Sequence, residues 1–321
     1  MYSQICGTGR CLPERVVTNF DLEKTMDTTD EWIRTRTGIE RRHFADEGQT
    51  LAELCIGASE QAIDAAGIKA QDIDFVVIGT LTPDISANDM IRNILTGLGI
   101  PACPAFTLEA ACSGFLYGLG IADKFVASGQ SQCALVIGAE ILSRVLDFED
   151  RSTAVLFGDG AGAAIVKASS EAGILSTHLH SDGQHWGLLY SKFAEDGELH
   201  DRTYDGAAVR MRGNELFKVA VKCLGSVVVE TLEANKLDKS DIDWLVPHQA
   251  NIRIIEATAK RLKMPMDKVI LTLQEHGNTS AASVPMALDV AIRDGRIKHG
   301  DLILLEAFGG GVTWGAALIR Y

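Results

Sequence analysis

The chain is organised around one short stretch, Glu109-Ala110-Ala111-Cys112-Ser113-Gly114-Phe115. An apolar run precedes it, and apolar residues recur after it at helical spacing, which predicts a strand turning into a helix at Cys112. Backbone N–H groups and the positive dipole end of a helix favour a thiolate there. Since the neighbours are small, a substrate carbonyl can approach, as at an activated nucleophile. A buried structural cysteine is the plainer alternative.

The composition is that of an ordinary globular protein, with 321 residues, 46% of them hydrophobic and 23% charged. No apolar stretch reaches the roughly 18 residues of a membrane span, and the N-terminus lacks the features of a signal peptide. We therefore expect a cytoplasmic protein with no membrane contact. A net charge of −13 argues against nucleic acid as a partner. Seven cysteines without metal-ligand spacing predict free thiols and no metal site.

The second half of the chain repeats the first. Residues 72–77 match residues 241–246, and residues 162–167 match residues 315–320. The two offsets differ, so insertions separate the matched segments. The repeat predicts two similar α/β halves, residues 1–170 with Cys112 and residues 171–321.

Two polar motifs in the second half complete a catalytic set. His248 directly follows a predicted strand, at the end where sites of α/β proteins cluster. Asn278 lies in a second loop that opens a helix, at the place equivalent to Cys112. Residues 309–311 are glycines, whose exposed backbone N–H groups suit an oxyanion hole. A lone His or Asn is more often structural. Three such positions related by a repeat favour a Cys–His–Asn set.

A Trp–Arg pair lies near the N-terminus. Trp32 and Arg36 are four residues apart in a predicted helix, hence on one face. An indole beside a guanidinium suits stacking on an adenine and holding a phosphate. A surface cation–π pair is the alternative.

Together these motifs resemble the β-ketoacyl-acyl carrier protein synthase III family, the initiating condensing enzymes of bacterial fatty acid synthesis. The resemblance runs nearly end to end, and the Cys–His–Asn set separates this family from relatives with Cys–His–His or Cys–His–Cys sets. It implies a thiolase-like α/β fold with two similar halves in a five-layered αβαβα core, and a homodimer. The implied enzyme is an acyltransferase that joins an acyl-CoA primer to malonyl-acyl carrier protein in a decarboxylative Claisen condensation. No cofactor is expected beside these substrates.

The resemblance also implies a role for each residue of the set. Cys112 takes the acyl group, while the backbone N–H groups of Cys112 and Gly310 hold the oxyanion. His248 Nε2 and the Asn278 amide donate hydrogen bonds to the enolate oxygen that decarboxylation generates. His276 is interpreted as structural.

Three groups of binding residues follow from the same resemblance. The implied CoA contacts are Thr28, Trp32, Arg36, Arg151, Phe217 and Asn251. The implied carrier-protein contacts are Lys218, Arg253, Lys260 and Arg261. The implied acyl pocket is Ala87, Leu142, Phe157, Leu189 and Met211. The carrier-protein group is basic in an acidic chain; a solvated helix face is the alternative.

Departures from the family pattern concern the acyl pocket. Ala87 falls where the family has a Phe that reaches the partner subunit's pocket, Val312 replaces a common Phe, and Arg212 stands where a small residue is frequent. An alanine leaves room, so we expect primers longer than acetyl. The alternative is that Ile85 or Met90 closes the cavity.

Three other functions fit part of these residues. A related condensing enzyme could use an aryl or branched starter in secondary metabolism, and the primer that acylates Cys112 distinguishes it. A papain-like hydrolase predicts no malonyl dependence, and the internal repeat argues against it. A non-enzymatic acyl-CoA sensor would tolerate loss of Asn278.

Overall fold

The computed structural model describes residues 1–84, 86–192 and 208–321, with the backbone alone at 191 and 192. Ile85 therefore lies outside the described residues. The strands, in chain order, are β1 (Tyr2–Cys11), β2 (Val16–Thr18), β3 (Arg41–His43), β4 (Phe75–Gly79), β5 (Ala105–Leu108), β6 (Cys133–Glu140), β7 (Gly160–Ser169), β8 (Ile174–Ser181), β9 (Leu189–Lys192), β10 (Ala208–Met211), β11 (Trp244–Pro247), β12 (Leu302–Gly309) and β13 (Thr313–Arg320).

Several helices begin at a side-chain cap, and several end at a left-handed residue. For example, Thr50 caps the third helix, with Glu53 completing a capping box, and Gly67 ends it at φ +62°. The helices are α1 (Asn19–Leu22), α2 (Asp30–Thr37), α3 (Leu51–Ala66), α4 (Ala87–Leu98), α5 (Gly114–Ala127), α6 (Arg151–Ala154), α7 (Gly213–Asn235), α8 (Ile252–Leu262), α9 (Leu273–His276) and α10 (Ser283–Arg293). In the described part of the chain, none of them is long and apolar enough to span a bilayer.

The first large sheet has the order β1-β7-β6-β4-β5. β5, β4 and β6 run parallel to one another, and β7 is antiparallel to both β6 and β1. All eight residues of β6 are buried, as expected of a strand covered on both faces. Alternate residues of β4 point to opposite faces, with Val76 on one side and Val77 on the other.

The second large sheet repeats this pattern in the order β11-β12-β13-β8. β11 and β12 are parallel, while β13 is antiparallel to both β12 and β8. β4 and β11 each follow a short 3₁₀ turn closed by an aspartate, Asp72 or Asp241, that accepts from the backbone three residues earlier. The predicted internal repeat is therefore present in the fold.

Helices cover both sheets and fill the space between them. α3 and α4 pack on the outer face of the first sheet, and α7 and α8 on the outer face of the second. α5 and α10 lie between the sheets, where a hydrophobic cluster joins residues from both. These are the five layers αβαβα of the thiolase-like fold, so that prediction is confirmed.

The two sheets use different parts of the chain. β7 ends at Ser169 and β8 begins at Ile174. However, α10 packs against β1 and β7 of the first sheet as well as β11 of the second, so the two parts share one interior. The division into residues 1–170 and 171–321 stays a prediction.

Candidate active site

Cys112 lies in a tight turn between a strand and a helix, as the sequence predicts. β5 ends at Leu108, a 3₁₀ turn covers residues 111–113, and α5 begins at Gly114. Ala111 enters this turn with φ +46°, a left-handed conformation that is uncommon for a residue with a side chain. The cysteine is therefore presented by a strained turn at the start of a central helix.

The second half of the chain contains the equivalent turn. A 3₁₀ turn at residues 280–282 opens α10, and Ser280 has φ +49°, close to the value of Ala111. The two turns pack against each other where α5 and α10 begin. The predicted equivalence between the Cys112 loop and the loop that carries Asn278 is thus present in the structure.

Burial affects the protonation of Cys112. Its side chain is buried, with 4% exposed, and burial raises the pKa of the Cys112 thiol to about 12, although the Ser280 hydroxyl lowers it. Burial favours the thiol and the start of the helix favours the thiolate, so the two effects oppose each other at this sulfur. The thiolate expected from the sequence stays a prediction.

The glycine turn after β12 lies against the Cys112 turn. A Cβ on Gly309 would come within 2.6 Å of the Cys112 backbone nitrogen, so only glycine fits there. Two hydrogen bonds fasten the turns together: Ser113 Oγ donates to the Thr313 carbonyl at 3.0 Å, and Thr313 Oγ1 donates to the Ala110 carbonyl at 2.7 Å. This arrangement brings Gly310 beside the nucleophile's turn.

His248 follows β11 at its carboxyl end, as predicted, and is buried. Its Nδ1 lies 2.5 Å from Ser283 Oγ, which also accepts from the Gln249 N–H at 3.4 Å. When the Ser283 hydroxyl donates to Nδ1, the neutral ring carries its hydrogen on Nε2, and that tautomer is the one the proposed mechanism uses. Burial lowers the pKa of His248 to about 3, so the ring is neutral over the physiological range.

The segment after α6 makes two hydrogen bonds to the backbone of Asn278. Its N–H donates to the Leu156 carbonyl at 2.9 Å, and its carbonyl accepts from Gly158 at 2.9 Å. The side-chain Oδ1 accepts from the Ser280 N–H at 2.9 Å. Because Oδ1 is engaged, the Nδ2 hydrogens are the part of this amide left to act as donors.

One turn therefore gathers all three residues of the set. Ser280 lines the same cavity as Cys112, its N–H fixes Asn278, and Ser283 at the end of the turn fixes His248. His248 and Asn278 are not among the described residues lining that cavity and connect to it through these two serines.

Sequence reasoning missed three residues of this arrangement, namely Ser280, Ser283 and Glu140. Glu140 ends the buried strand β6 and accepts from Ser280 Oγ at 3.3 Å. A lone carboxylate at the end of an apolar strand, and two serines at the start of a helix, were the signals available.

The cavity beside Cys112 has a volume of about 810 Å³. Four of the five predicted acyl-pocket residues line it: Ala87, Leu142, Phe157 and Leu189. Met211 is not among the residues lining the cavity, but it pairs with Leu189 between β10 and β9 and packs against the cluster that includes Leu142 and Phe157, so its place in the acyl pocket stays a prediction. Val209, on the same strand, does line the cavity.

Ala87 lines the cavity of its own chain. α4 starts at Ala87 directly after the loop that follows β4, whose carboxyl end lies at the site. The reach of this position into a partner subunit's pocket, which the resemblance implies, stays a prediction. Met90, the proposed alternative cap, is fully buried against α3. Ile85, the other alternative, lies outside the described residues.

The structure brings most of the predicted CoA contacts together around Trp32. The guanidinium carbons of Arg36 and Arg151 lie 4.8 Å and 5.0 Å from the Trp32 ring centre. Asn251 caps α8 and donates to the Arg36 carbonyl at 3.1 Å, which ties α8 to α2. Thr28 precedes α2, and its buried Oγ1 has no hydrogen-bond partner among the described residues.

Phe217 and the predicted carrier-protein residues lie on the two outer helices next to this group. Phe217 is 37% exposed on α7, which packs against α8. Lys218 and Lys222 are exposed on α7, and Arg253 and Lys260 on α8. Arg261 joins the two helices by donating to the Val221 carbonyl at 3.0 Å. We call these five basic residues the basic face: Lys218, Lys222, Arg253, Lys260 and Arg261.

Comparison with known proteins agrees with this geometry over the whole chain. The family described as 3-Oxoacyl-[acyl-carrier-protein (ACP)] synthase III matches residues 106–183, and its C-terminal part matches residues 232–321. The β-ketoacyl-[acyl-carrier-protein] synthase III of Thioalkalivibrio sulfidiphilus is 54% identical over 320 residues, covering 100% of this chain and 99% of the relative. The enzyme of that name from Xanthomonas campestris is 55% identical over 321 residues, with the same coverage.

Solved structures give the same result. The 3-oxoacyl-[acyl-carrier-protein] synthase III of Aquifex aeolicus superposes with a TM-score of 0.93 at 46% identity, covering 99% of this chain and 100% of that one. The priming β-ketosynthase of the R1128 polyketide pathway superposes with a TM-score of 0.94 at 36% identity, covering 99% and 96%. The chain belongs to the β-ketoacyl-acyl carrier protein synthase III family and is a condensing enzyme of the acyltransferase type.

Proposed function

We propose that the chain transfers an acyl group from acyl-CoA to Cys112 and then condenses it with malonyl-acyl carrier protein, which initiates fatty acid synthesis. The observation that carries the proposal is the single turn at residues 280–282, which joins the nucleophile's cavity to two oriented hydrogen-bond donors. The Cys112 sulfur attacks the thioester carbonyl, with the N–H groups of Cys112 and Gly310 holding the oxyanion, and CoA leaves.

In the second half-reaction the malonyl thioester loses CO₂ and an enolate forms on the thioester oxygen. His248 Nε2–H and the Asn278 amide donate to that oxygen, and the carbanion attacks the acyl carbonyl on Cys112. A neutral histidine and an amide stabilise the negative charge without giving up a proton that would quench the carbanion. The β-ketoacyl-acyl carrier protein is released, and no metal or cofactor is needed for either step.

CoA binding is proposed at the group around Trp32. An adenine stacks on the indole while Arg36 and Arg151 hold phosphates, and Thr28 Oγ1 and Asn251 supply polar contacts. Both guanidiniums lie beside the Trp32 ring, which keeps two phosphate-binding cations next to the proposed adenine site. Phe217 presents an exposed ring on α7, and we propose that it also contacts CoA.

One experiment tests the proposal as a whole. The intact mass of the purified protein is measured after incubation with a mixture of acyl-CoAs, and again after malonyl-acyl carrier protein is added. We expect one acyl adduct that disappears as a β-ketoacyl-carrier product forms. A starter used in secondary metabolism is the second candidate, favoured by the likeness to the R1128 priming β-ketosynthase, and the adduct's mass identifies it. Turnover without any covalent adduct would contradict the proposal.

The acyl carrier protein is proposed to bind the basic face. Its five cations stand out in a chain of net charge −13, and an acidic carrier protein complements them. The face adjoins the Trp32 group through the contact between α8 and α2, so a bound carrier could deliver its thioester by the same entrance as CoA.

Arg253→Glu is expected to weaken the use of malonyl-acyl carrier protein far more than the use of acyl-CoA. The reason is that a reversed charge on the basic face repels an acidic partner, and the loss shrinks as salt screens it. Michaelis constants for both substrates at low and high salt provide the measurement. Lys69→Glu, an exposed swap after α3 on the opposite outer layer, is the matched control. An unchanged constant for the carrier substrate at low salt would rule the docking site out.

Homodimer formation is part of the same proposal. β5 lies at the edge of the first sheet, paired with β4 on one side. An edge strand is a natural place for pairing with a second copy. The mass in solution by light scattering tests this. The cytoplasmic location also belongs to the proposal, supported by free thiols at all seven cysteines.

Ala87→Phe is expected to shift primer preference toward acetyl-CoA. A ring at Ala87 fills the cavity that a longer chain would occupy, at about 0.8 kcal/mol for each buried CH₂ displaced. Specificity constants for acetyl-, butyryl- and octanoyl-CoA are compared in wild type, Ala87→Phe and the control Asn88→Phe, which adds the ring at the next, exposed position. Identical chain-length profiles in all three proteins would mean that Ala87 does not limit the pocket.

A further inference from the structure

A fully buried arginine packs against the loop that carries Asn278. Arg42, on β3, is 0% exposed. Its Nη1 donates to Asn19 Oδ1 at 2.8 Å and to the Val17 carbonyl at 3.3 Å, and its Nη2 donates to the Val155 carbonyl at 2.6 Å. All three acceptors are neutral oxygens. Among the residues that the structure describes, no carboxylate forms an ion pair with this guanidinium.

A buried cation without an ion pair is unfavourable for stability alone. Removing a charge from water costs free energy that an opposite charge would partly offset, and Arg42 has no such partner in the described part of the chain. What the guanidinium provides is several fixed donors, and hydrogen bonds from a charged donor are stronger than those from a neutral one. Its bonds to two backbone carbonyls and an amide are those of a group that holds backbone in place.

The Val155 carbonyl begins the segment that pairs with Asn278. The next residue, Leu156, accepts from the Asn278 N–H at 2.9 Å, and the Gly158 N–H donates to the Asn278 carbonyl at 2.9 Å. Because a peptide group is planar, a hydrogen bond to the Val155 carbonyl also fixes the Leu156 nitrogen. The Arg42 guanidinium therefore holds the start of the segment that holds Asn278.

The stem of Arg42 contacts the glycines on both sides of this pairing. A Cβ on Gly158 would come within 3.0 Å of the Arg42 Cβ, and a Cβ on Gly277 within 3.1 Å of it. Gly277 directly precedes Asn278 and has φ +66°, a conformation that favours glycine. Arg42 thus packs against the residue before Asn278 and against the residue that bonds the Asn278 carbonyl.

Asn19 orients the guanidinium. This side chain is also 0% exposed, and its Nδ2 donates to Asp30 Oδ1 at 2.9 Å and to the Ile39 carbonyl at 2.8 Å. Since the two acceptors use both Nδ2 hydrogens, Oδ1 must face Arg42. Asp30 is the first residue of α2, so this buried network runs from the helix that carries Trp32 to the Val155 carbonyl.

We propose, on the basis of the function proposed above, that Arg42 is a positioning residue for Asn278 in the malonyl half-reaction. It fixes the backbone on which the Asn278 amide is mounted, so the amide donates to the enolate oxygen without reorganising in the transition state. Arg42 is not among the described residues that line the cavity, and it acts only through Asn278. Acyl transfer to Cys112 does not use this amide, so a change at Arg42 affects one half-reaction and spares the other.

Arg42→Lys is the variant that tests this role. Lysine keeps the charge but replaces the planar fork by one ammonium, which cannot hold Asn19 and Val155 in the arginine's geometry. Since a misplacement of about 1 Å can cost about 10²-fold, we expect decarboxylation to slow by roughly 10- to 100-fold. Self-acylation should stay within about twofold of wild type, because the oxyanion hole is unchanged.

The two half-reactions are measured separately on the full chain. Intact mass follows self-acylation by acetyl-CoA. Each protein is then acylated to completion, freed of CoA and mixed with radiolabelled malonyl-acyl carrier protein, and CO₂ release is followed over one turnover. Arg41→Lys is the matched control, since Arg41 is an exposed neighbour on the same strand whose partner is Glu275 of α9, at 3.3 Å. It should keep both rates.

A double mutant separates positioning from a general effect on the fold. If Arg42 acts through Asn278, Arg42→Lys should cause no further loss of decarboxylation in the Asn278→Ala protein. Asn19→Ala is the second single variant; it keeps Arg42 and removes the acceptor that orients it, so the same half-reaction should be lost to a smaller extent. Melting temperatures are recorded for all variants, and Asn19→Ala decides the test if Arg42→Lys does not fold.

Three outcomes overturn the inference. One is a folded variant at Arg42 or Asn19 that decarboxylates at the wild-type rate. Another is an equal loss of self-acylation and decarboxylation, which is what a purely structural role produces. The third is a full additional loss from Arg42→Lys in the Asn278→Ala protein. Wild-type decarboxylation in Asn278→Ala itself would instead contradict the proposed function, so the two failures are distinguishable.

Discussion

Cys112→Ala abolishes covalent acylation and reduces condensation to background; this is the largest effect we expect from any single change. The sulfur is the only atom at the turn that the proposed mechanism makes into an acyl carrier, and no neighbouring group replaces it. Intact mass after incubation with acetyl-CoA should show no added acetyl group. Because Cys112 is flanked by small residues in a buried turn, loss of one sulfur should leave the fold intact.

Cys112→Ser is a more conservative variant that tests the same role. It keeps the size and the contacts of the turn, but a hydroxyl is a much weaker nucleophile than a thiol, so acyl transfer should also be lost. Near-wild-type melting temperatures in both variants would separate loss of chemistry from loss of folding. An acetyl adduct of undiminished yield on the Cys112→Ala protein would show that another residue carries the acyl group.

Local pattern was enough to predict the elements that carry the nucleophile. The turn at Cys112 follows from an apolar run that switches to helical spacing, and the second sheet follows from the repeat of residues 72–77 at 241–246. The Trp32–Arg36 pair follows from helical geometry alone, and the structure places Arg36 over the ring. Each of these inferences uses residues close together in the chain.

Contacts between distant residues were not predictable in the same way. The Ser280–Glu140 hydrogen bond joins positions 140 residues apart, and the His248–Ser283 bond joins different layers of the fold. Burial raises the pKa of the Cys112 thiol, and this effect depends on the whole fold and cannot be inferred from the start of the helix.

Asn278→Ala is expected to leave self-acylation largely intact and to slow malonyl decarboxylation by about 10²–10³-fold, the usual loss for one oxyanion donor. The amide is preorganised because Ser280 N–H engages its Oδ1, so alanine removes a donor that needs no reorientation in the transition state. His248→Ala should act in the same direction. Release of CO₂ from radiolabelled malonyl-acyl carrier protein measures this step, and intact mass measures the other.

The pH profile and a matched control test which half-reaction these residues serve. Since burial lowers the pKa of His248 to about 3, its ring stays neutral and decarboxylation should show no limb from this histidine between pH 5 and 8. His276→Gln is the control: this histidine lies two residues before Asn278, ends α9, is partly buried and has its pKa lowered to about 4, mainly by burial. It should keep both half-reactions. Acylation and decarboxylation falling together in Asn278→Ala would mean that the amide acts on both oxyanions and not on the enolate alone.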